Sequence, residues 1–214
     1  MANYSRGGGL GSIPPVVKNL LIINGLVWLA QIAFTKQGIM LEQWGALSAI
    51  QSGFFRVWQL VTYMFMHQAV YSDGSIAFAH ILFNMFALWT FGTTLENFWG
   101  SKRFFTFYML CGIFAGVAQL ITQSQGYAVG ASGAIMGVCA GFAFLFPNTE
   151  LYLMFIPIPI KAKYLIPGFI LLDLFSGIAP QTNDNVAHWA HLGGALAGLI
   201  IVIIWNKTNR NKFY

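Results

Sequence analysis

A chain of 214 residues that is 57% hydrophobic and only 8% charged stands far from an ordinary soluble domain, in which about a quarter of the residues carry charge. Its 11 basic and 6 acidic residues give a net charge of +5, yet no segment has the pattern of a nucleic-acid module, so the basic excess points to membrane topology and no nucleic-acid partner is expected. Two cysteines, Cys111 and Cys139, both inside apolar segments, are too few for a disulfide scaffold and read as small buried hydrophobes.

Residues 1–15, polar and glycine-rich through Ser12, read as a mobile cytoplasmic N-terminus. No small-residue cleavage site follows the next apolar stretch, which therefore reads as an uncleaved first span. Six apolar segments predict membrane helices over 16–34, 78–98, 104–122, 131–146, 164–177 and 186–205. The fold class expected is an all-α membrane protein, one six-helix bundle over 16–205 with a short basic cytoplasmic tail at 206–214. The fourth and fifth segments are short against the roughly 20 residues a span needs. Between them, 151–160 holds Pro157 and Pro159, which disfavour a continuous helix and predict an apolar connection at the membrane surface.

The long connection at 35–77 carries Trp44, Phe54, Phe55, Trp58, Tyr63 and Phe65, side chains suited to the membrane interface. Within it, 55–67 has helix-compatible spacing and predicts a helix lying in the plane of the outer leaflet, with a packed loop as the alternative. With the N-terminus inside, Arg6, Lys18, Lys102, Arg103, Lys161, Lys163, Lys207, Arg210 and Lys212 fall on the inner side and only Lys36 and Arg56 outside. Nine against two is a positive-inside asymmetry that assigns both termini to the cytoplasm, in the plasma or inner membrane if the source is bacterial.

Small residues recur at four-residue spacing: Gly112 and Gly116; Gly133, Gly137 and Gly141; Ala190, Gly194 and Gly198. Each set lies on one helical face and lets helix backbones approach closely.

Polar groups facing hydrocarbon cost several kcal/mol when unpaired, so His80, Asn84, Ser132 and His191 require an account. His80 and Asn84, four apart, project from one helical face and serve either as an interhelical hydrogen bond or as donors to a reacting group. Ser132 stands where a polar loop becomes the fourth helix, between Gly130 and Gly133. Alone it reads as an N-cap; beside free helix-start amides it also fits a nucleophile with an oxyanion site. His191 lies at the outer end of the sixth span on the face that would pack against the fourth helix. Alone it is a structural group, but imidazole is also the base that activates a serine near neutrality. The charge count places all four at one depth on the outer side, which is the set of roles acyl transfer needs.

Metal binding competes for His67, His80, His188 and His191. The sequence has no His-Glu-x-x-His pair, and His188 and His191 have no obvious carboxylate ligand, so neither a metal nor any other cofactor is expected. Asp173 reads as a capping or loop-anchoring residue, leaving Ser132 and His191 as a two-residue unit.

Together, His80-x-x-x-Asn84, Gly130-Ala131-Ser132-Gly133 and Ala190-His191-x-Gly193-Gly194 resemble the rhomboid family of intramembrane serine proteases, in order, spacing and membrane placement. The resemblance covers nearly the whole chain. It implies a rhomboid-like six-helix bundle in the lipid bilayer in which Ser132 attacks the scissile carbonyl and His191 shuttles the proton. The Ser132 amide, His80 and Asn84 would form the oxyanion hole, and Gly130, Gly133, Met136 and His188 would line the site. It also implies, as partners, membrane-spanning segments of other proteins, cut near the outer face, and a cavity open to the extracytoplasmic side. A non-catalytic relative that binds membrane segments is the alternative, and a small transporter a third class.

Three departures from the family pattern stand out. Gln59 replaces an arginine in Trp58-Gln59-Leu60-Val61-Thr62-Tyr63-Met64-Phe65-Met66-His67, residues 68–79 look like an inserted outer loop, and Met136 stands where some members carry a tyrosine that packs on the histidine.

Overall fold

A computed structural model describes residues 13–71, 73–152, 158–179 and 186–208. Six principal helices account for the bundle: α1 (Pro15–Thr35), α2 (Phe78–Trp99), α3 (Ser101–Thr122), α4 (Ser132–Leu145), α5 (Ala162–Ile178) and α6 (His188–Thr208). They fall within a few residues of the six segments read from hydropathy. The readings of 1–12 as a mobile terminus, of Pro157 and of the tail at 209–214, with the charges of Arg6, Arg210 and Lys212, lie outside the described residues.

Helices α1, α2, α3 and α6 are each long and apolar enough to cross a membrane. Ile22, Leu26 and Leu29 on α1 and Leu171, Leu172, Phe175 and Ile178 on α5 are about half exposed or more. Such apolar faces belong against lipid, and the chain is an integral membrane protein. Pro15 opens α1 where a missing N–H costs nothing. The amides of Val16 and Val17 donate to the two carboxylate oxygens of Glu96, at 2.9 and 2.8 Å, and Ser101 Oγ donates to the same carboxylate at 2.7 Å. A buried acidic group at a helix start is favoured by the free amides there; the sequence had assigned Glu96 no role. Helix α2 passes through a π turn, Leu88–Gly92, and ends at Gly100, whose φ of +80° turns the chain into α3.

Helix α4 is buried nearly all round, as a helix apolar on every face must be. Its 14 residues extend about 21 Å against a hydrocarbon core of about 30 Å. The chain before it therefore dips into the bundle, where its backbone groups need protein partners. Those partners come from the connection after α1. Strand β1 (Leu47–Ser48) pairs antiparallel with β2 (Tyr127–Ala128), and the Gly130 amide donates to the Tyr63 carbonyl at 3.0 Å.

This connection differs from expectation. The single interfacial helix expected over 55–67 is instead one α turn, Gln59–Thr62, running into a 3-10 turn, Tyr63–Phe65. The reason is polar anchoring. Buried Gln59 accepts from the amides of Ser48 and Arg56 and donates to the Phe54 carbonyl, and Tyr63 Oη donates to the Gly112 carbonyl at 2.7 Å. Gln59 thus fills the site of the expected arginine with a neutral group that satisfies three backbone partners. Gly112 and Gly116 accordingly receive the side chains of Met64, Leu60 and Tyr63 rather than another helix backbone. In the stretch after His67, Val70 bridges Ile76, and Asp73 accepts from the amide and hydroxyl of Ser75. The apolar connection between α4 and α5 forms an antiparallel pair, β3 (Glu150–Tyr152) with β4 (Pro159–Lys161).

In the other sets Gly133, Gly137, Gly194 and Gly198 do what their spacing predicts, while Gly141 receives the side chains of Phe107 and Leu95. A Cβ added at Gly194 would overlap the Gly133 carbonyl, one at Gly198 would overlap the backbone of Gly137, and one at Gly137 would lie 2.8 Å from the Gly194 oxygen. Helices α4 and α6 touch backbone to backbone. Gly194→Ala is expected to force them apart and destabilise the fold by about 1–3 kcal/mol, the usual range for overpacking. Gly168→Ala, where nothing stands within 4 Å, is expected to be neutral or slightly stabilising. Thermal unfolding in detergent compares the two.

Candidate active site

Ser132 is the first residue of α4, and Ala131 occupies the N-cap position with no side-chain cap. The serine hydroxyl is therefore not spent on capping. It faces His191 Nε2 at 2.8 Å. His191 sits in the first turn of α6, and the glycine contacts between α4 and α6 continue from its level, so the approach of the two backbones sets the separation of the two side chains. The amide of Ala190, beside His191, donates to Gln119 Oε1 of α3 at 3.2 Å. Gln119 Nε2 donates to Gln123 Oε1, and Gln123 in turn donates to the Gly126 carbonyl in the loop before Ser132. Two glutamines thus tie the start of α6 to the loop that presents Ser132, a connection invisible to a search for catalytic residue types.

Asp173 departs from its expected capping role. It lies one helical turn before the end of α5, and its two carboxylate oxygens both stand 3.1 Å from His191 Nδ1. His188 Nδ1 is 2.6 Å from Asp173 Oδ1. The capping reading fails because α5 packs on α6 in a register that aims residue 173 at the two histidines. The nearest sequence clue was the chemistry of an acidic residue inside an apolar segment. An ionised carboxylate only accepts, so His191 carries its proton on Nδ1 and presents the Nε2 lone pair to the serine. The absence of a carboxylate near His188 and His191, on which the expectation of no metal partly rested, is likewise corrected: Asp173, His188 and His191 each bring one ligand atom to within 4.8 Å of the others.

Gly130 adopts φ +130°, and a Cβ there would lie 3.2 Å from both His80 Nε2 and Cε1 and 3.5 Å from Ser132 Oγ. Lacking one, it lets the His80 ring stand beside the serine. His67 stands behind His80, with ring centroids 5.3 Å apart. Burial, with the adjacent His80 second, pushes the His67 imidazole down to about 3, so this ring is neutral around pH 7. Asn84 is buried and donates to the His80 carbonyl at 2.8 Å; a side-chain amide has a second N–H to offer. Met136 is half-buried on α4, one turn beyond Ser132. Gly133 contributes the close approach to Ala190 and Ala115.

The fold and this site define a helical integral membrane protein with a serine hydroxyl, an imidazole and a carboxylate in line. A family model described as the Rhomboid domain matches residues 55–207, and the chain belongs to the rhomboid family. It is 31% identical over 135 residues to "Rhomboid protein 1, mitochondrial" of Saccharomyces cerevisiae, covering 58% of this chain and 37% of that protein. It is 33% identical over 138 residues to "Presenilin-associated rhomboid-like protein, mitochondrial" of Rattus norvegicus, covering 60% and 36%. It is 32% identical over 142 residues to "Rhomboid protease GluP" of Bacillus subtilis, covering 66% and 24%. The matched part is thus well under half the length of each of these relatives.

Gly130→Ala is expected to lose reactivity at Ser132 while the protein stays folded, because a Cβ strains the +130° backbone and presses on His80. The rate of fluorophosphonate labelling, set against thermal unfolding, checks this.

Proposed function

We propose that the chain is an intramembrane serine endopeptidase that cleaves membrane-spanning segments of other proteins. The observation that carries this reading is the 2.8 Å contact of Ser132 Oγ with His191 Nε2, on a histidine whose other nitrogen faces a carboxylate. In this reading Ser132 Oγ attacks the scissile carbonyl as its proton passes to His191 Nε2, and the imidazolium then gives that proton to the leaving amine. Water repeats the sequence on the acyl-enzyme, with His191 again as base. Negative charge on the tetrahedral oxygen is met by the Ser132 amide, which as a helix-start N–H has no intrahelical acceptor, and by His80 and Asn84.

Asp173 acts as a positioning residue. It holds the Nδ1–H tautomer of His191 and favours the imidazolium formed during attack. The unit is a Ser–His pair with a carboxylate behind it, rather than a pair alone. The short α4 supports a site below the membrane surface, and the nine-to-two charge distribution supports a cavity opening on the side opposite both termini.

Ser132→Ala and His191→Ala are each expected to abolish cleavage of a transmembrane substrate in liposomes, and fluorophosphonate labelling of Ser132 is expected to vanish in His191→Ala. His188→Ala is expected to leave a measurable fraction. Equal binding of substrate by wild type and Ser132→Ala with no cleavage by either would instead make the chain a non-catalytic binder. Asp173→Asn keeps the side chain's shape but cannot enforce the tautomer. It is expected to lower kcat by about 10²- to 10⁴-fold, the scale seen when a triad carboxylate is neutralised, with KM much less changed; equal losses in KM and folding would make Asp173 merely structural.

A further inference from the structure

We propose that Asp173, His188 and His191 form an inhibitory site for a divalent transition metal of zinc type, which switches off the base by coordinating its Nδ1. The donor set is two imidazole nitrogens and one carboxylate oxygen, all within 4.8 Å of one another. His188 Nδ1 lies 2.6 Å and His191 Nδ1 3.1 Å from the same oxygen, Asp173 Oδ1. A tetrahedral zinc with bonds of about 2.0–2.1 Å needs ligand atoms about 3.3 Å apart; the His191 nitrogen already stands near that distance from the shared oxygen, and the His188 nitrogen would have to withdraw from it by about 0.7 Å. Three protein ligands would leave a fourth position for water. Side-chain exposures of 12–16% leave the cluster sheltered but reachable. Imidazole donors select zinc, cobalt, nickel or copper over magnesium and calcium, which prefer all-oxygen sites.

The chemistry of inhibition follows from the two nitrogens of one ring. In the metal-free site His191 carries its proton on Nδ1 and offers the Nε2 lone pair to Ser132. A metal on Nδ1 displaces the proton there, and the neutral ring then carries that proton on Nε2. Nε2–H then donates toward Ser132 Oγ and cannot accept from it. The serine loses its base without moving. His188 undergoes the same shift of proton from Nδ1 to Nε2, and Asp173 exchanges two N–H donors for one cation. No proton need leave the site.

This proposal rests on the protease reading only for its effect on activity; metal binding is tested apart from it. Full-length Ser132→Ala protein, which retains all three ligands, is expected to bind one Zn²⁺ per chain by calorimetry in detergent, and to give visible absorption bands of tetrahedral Co²⁺ that Zn²⁺ abolishes. Adding His188→Ala or His188→Gln should remove both signals. Absence of a bound ion, or binding that survives both His188 substitutions, overturns the site. In protein with Ser132 intact, Zn²⁺ is expected to slow fluorophosphonate labelling reversibly, with full recovery in EDTA and no response to Mg²⁺. Rates are taken relative to each variant's own metal-free rate, and the half-inhibitory Zn²⁺ concentration should rise at least tenfold in His188→Ala. Bound metal with unchanged labelling overturns the inhibitory role. If Ser132 never labels in any protein, the protease reading falls, while the Ser132→Ala binding data still decide the metal site.

Discussion

The arrangement depends on one contact: the backbones of α4 and α6 meet with no side chain between them. Gly133 faces Gly194, and Gly137 faces Gly198, closely enough that a single added methyl would strike backbone atoms. In lipid, helices gain little from hiding apolar surface, so association comes from close packing and hydrogen bonds. The same face that lets the helices meet carries a serine at the start of one and a histidine in the first turn of the other. Their 2.8 Å separation is thus a consequence of backbone packing, which is far stiffer than two side chains reaching across a gap. Cys111 of α3 lies 2.5 Å from where a Cβ at Gly137 would stand, so the third helix closes the same contact from behind.

Holding polar groups at this depth requires that each find a partner inside the protein. The connection between α1 and α2 is the main supplier. Gln31 of α1 donates to the His67 carbonyl and accepts from the His67 amide, Tyr63 ties to Gly112 and receives the Gly130 amide, and Gln59 satisfies three backbone groups. Together they fix a non-helical segment where water cannot solvate it, and so hold Gly130 in the backbone conformation that admits His80 beside Ser132.

The six helices were legible because spans in lipid are set by length and hydropathy, and the α4–α6 contact because glycine spacing records a helical face directly. Ser132 and His191 were legible as a pair through shared depth. Asp173 was misread because its role depends on the rotation of α5 about its own axis, which hydropathy cannot fix when the helix is apolar on most faces. Glu96, Gln59 and Gln119 escaped for a related reason: each pairs with backbone far away in sequence, and no spacing rule anticipates such partners. The 55–67 segment misled because its apolar spacing matched a surface helix, whereas the pattern reflects Tyr63 and Met64 packing inward on Gly112 and Gly116.

The position of Asp173 also bears on how a charge can persist in this setting. An ionised carboxylate taken from water into an apolar interior is costly unless paired and hydrogen-bonded. Here it faces two imidazole nitrogens, at 2.6 and 3.1 Å, on a helix whose buried residues, Ala162 and Ile166, lie near its opposite end. At this end α5 meets α6 through the carboxylate and through His188 and Trp189 beside Gly177. The carboxylate that faces His191 is thus also part of what joins the helix carrying it to α6. Both histidines lie on the first turn of α6, so the carboxylate shared between them ties the end of α5 to the start of α6, and the burial of its charge is met by two imidazoles rather than one.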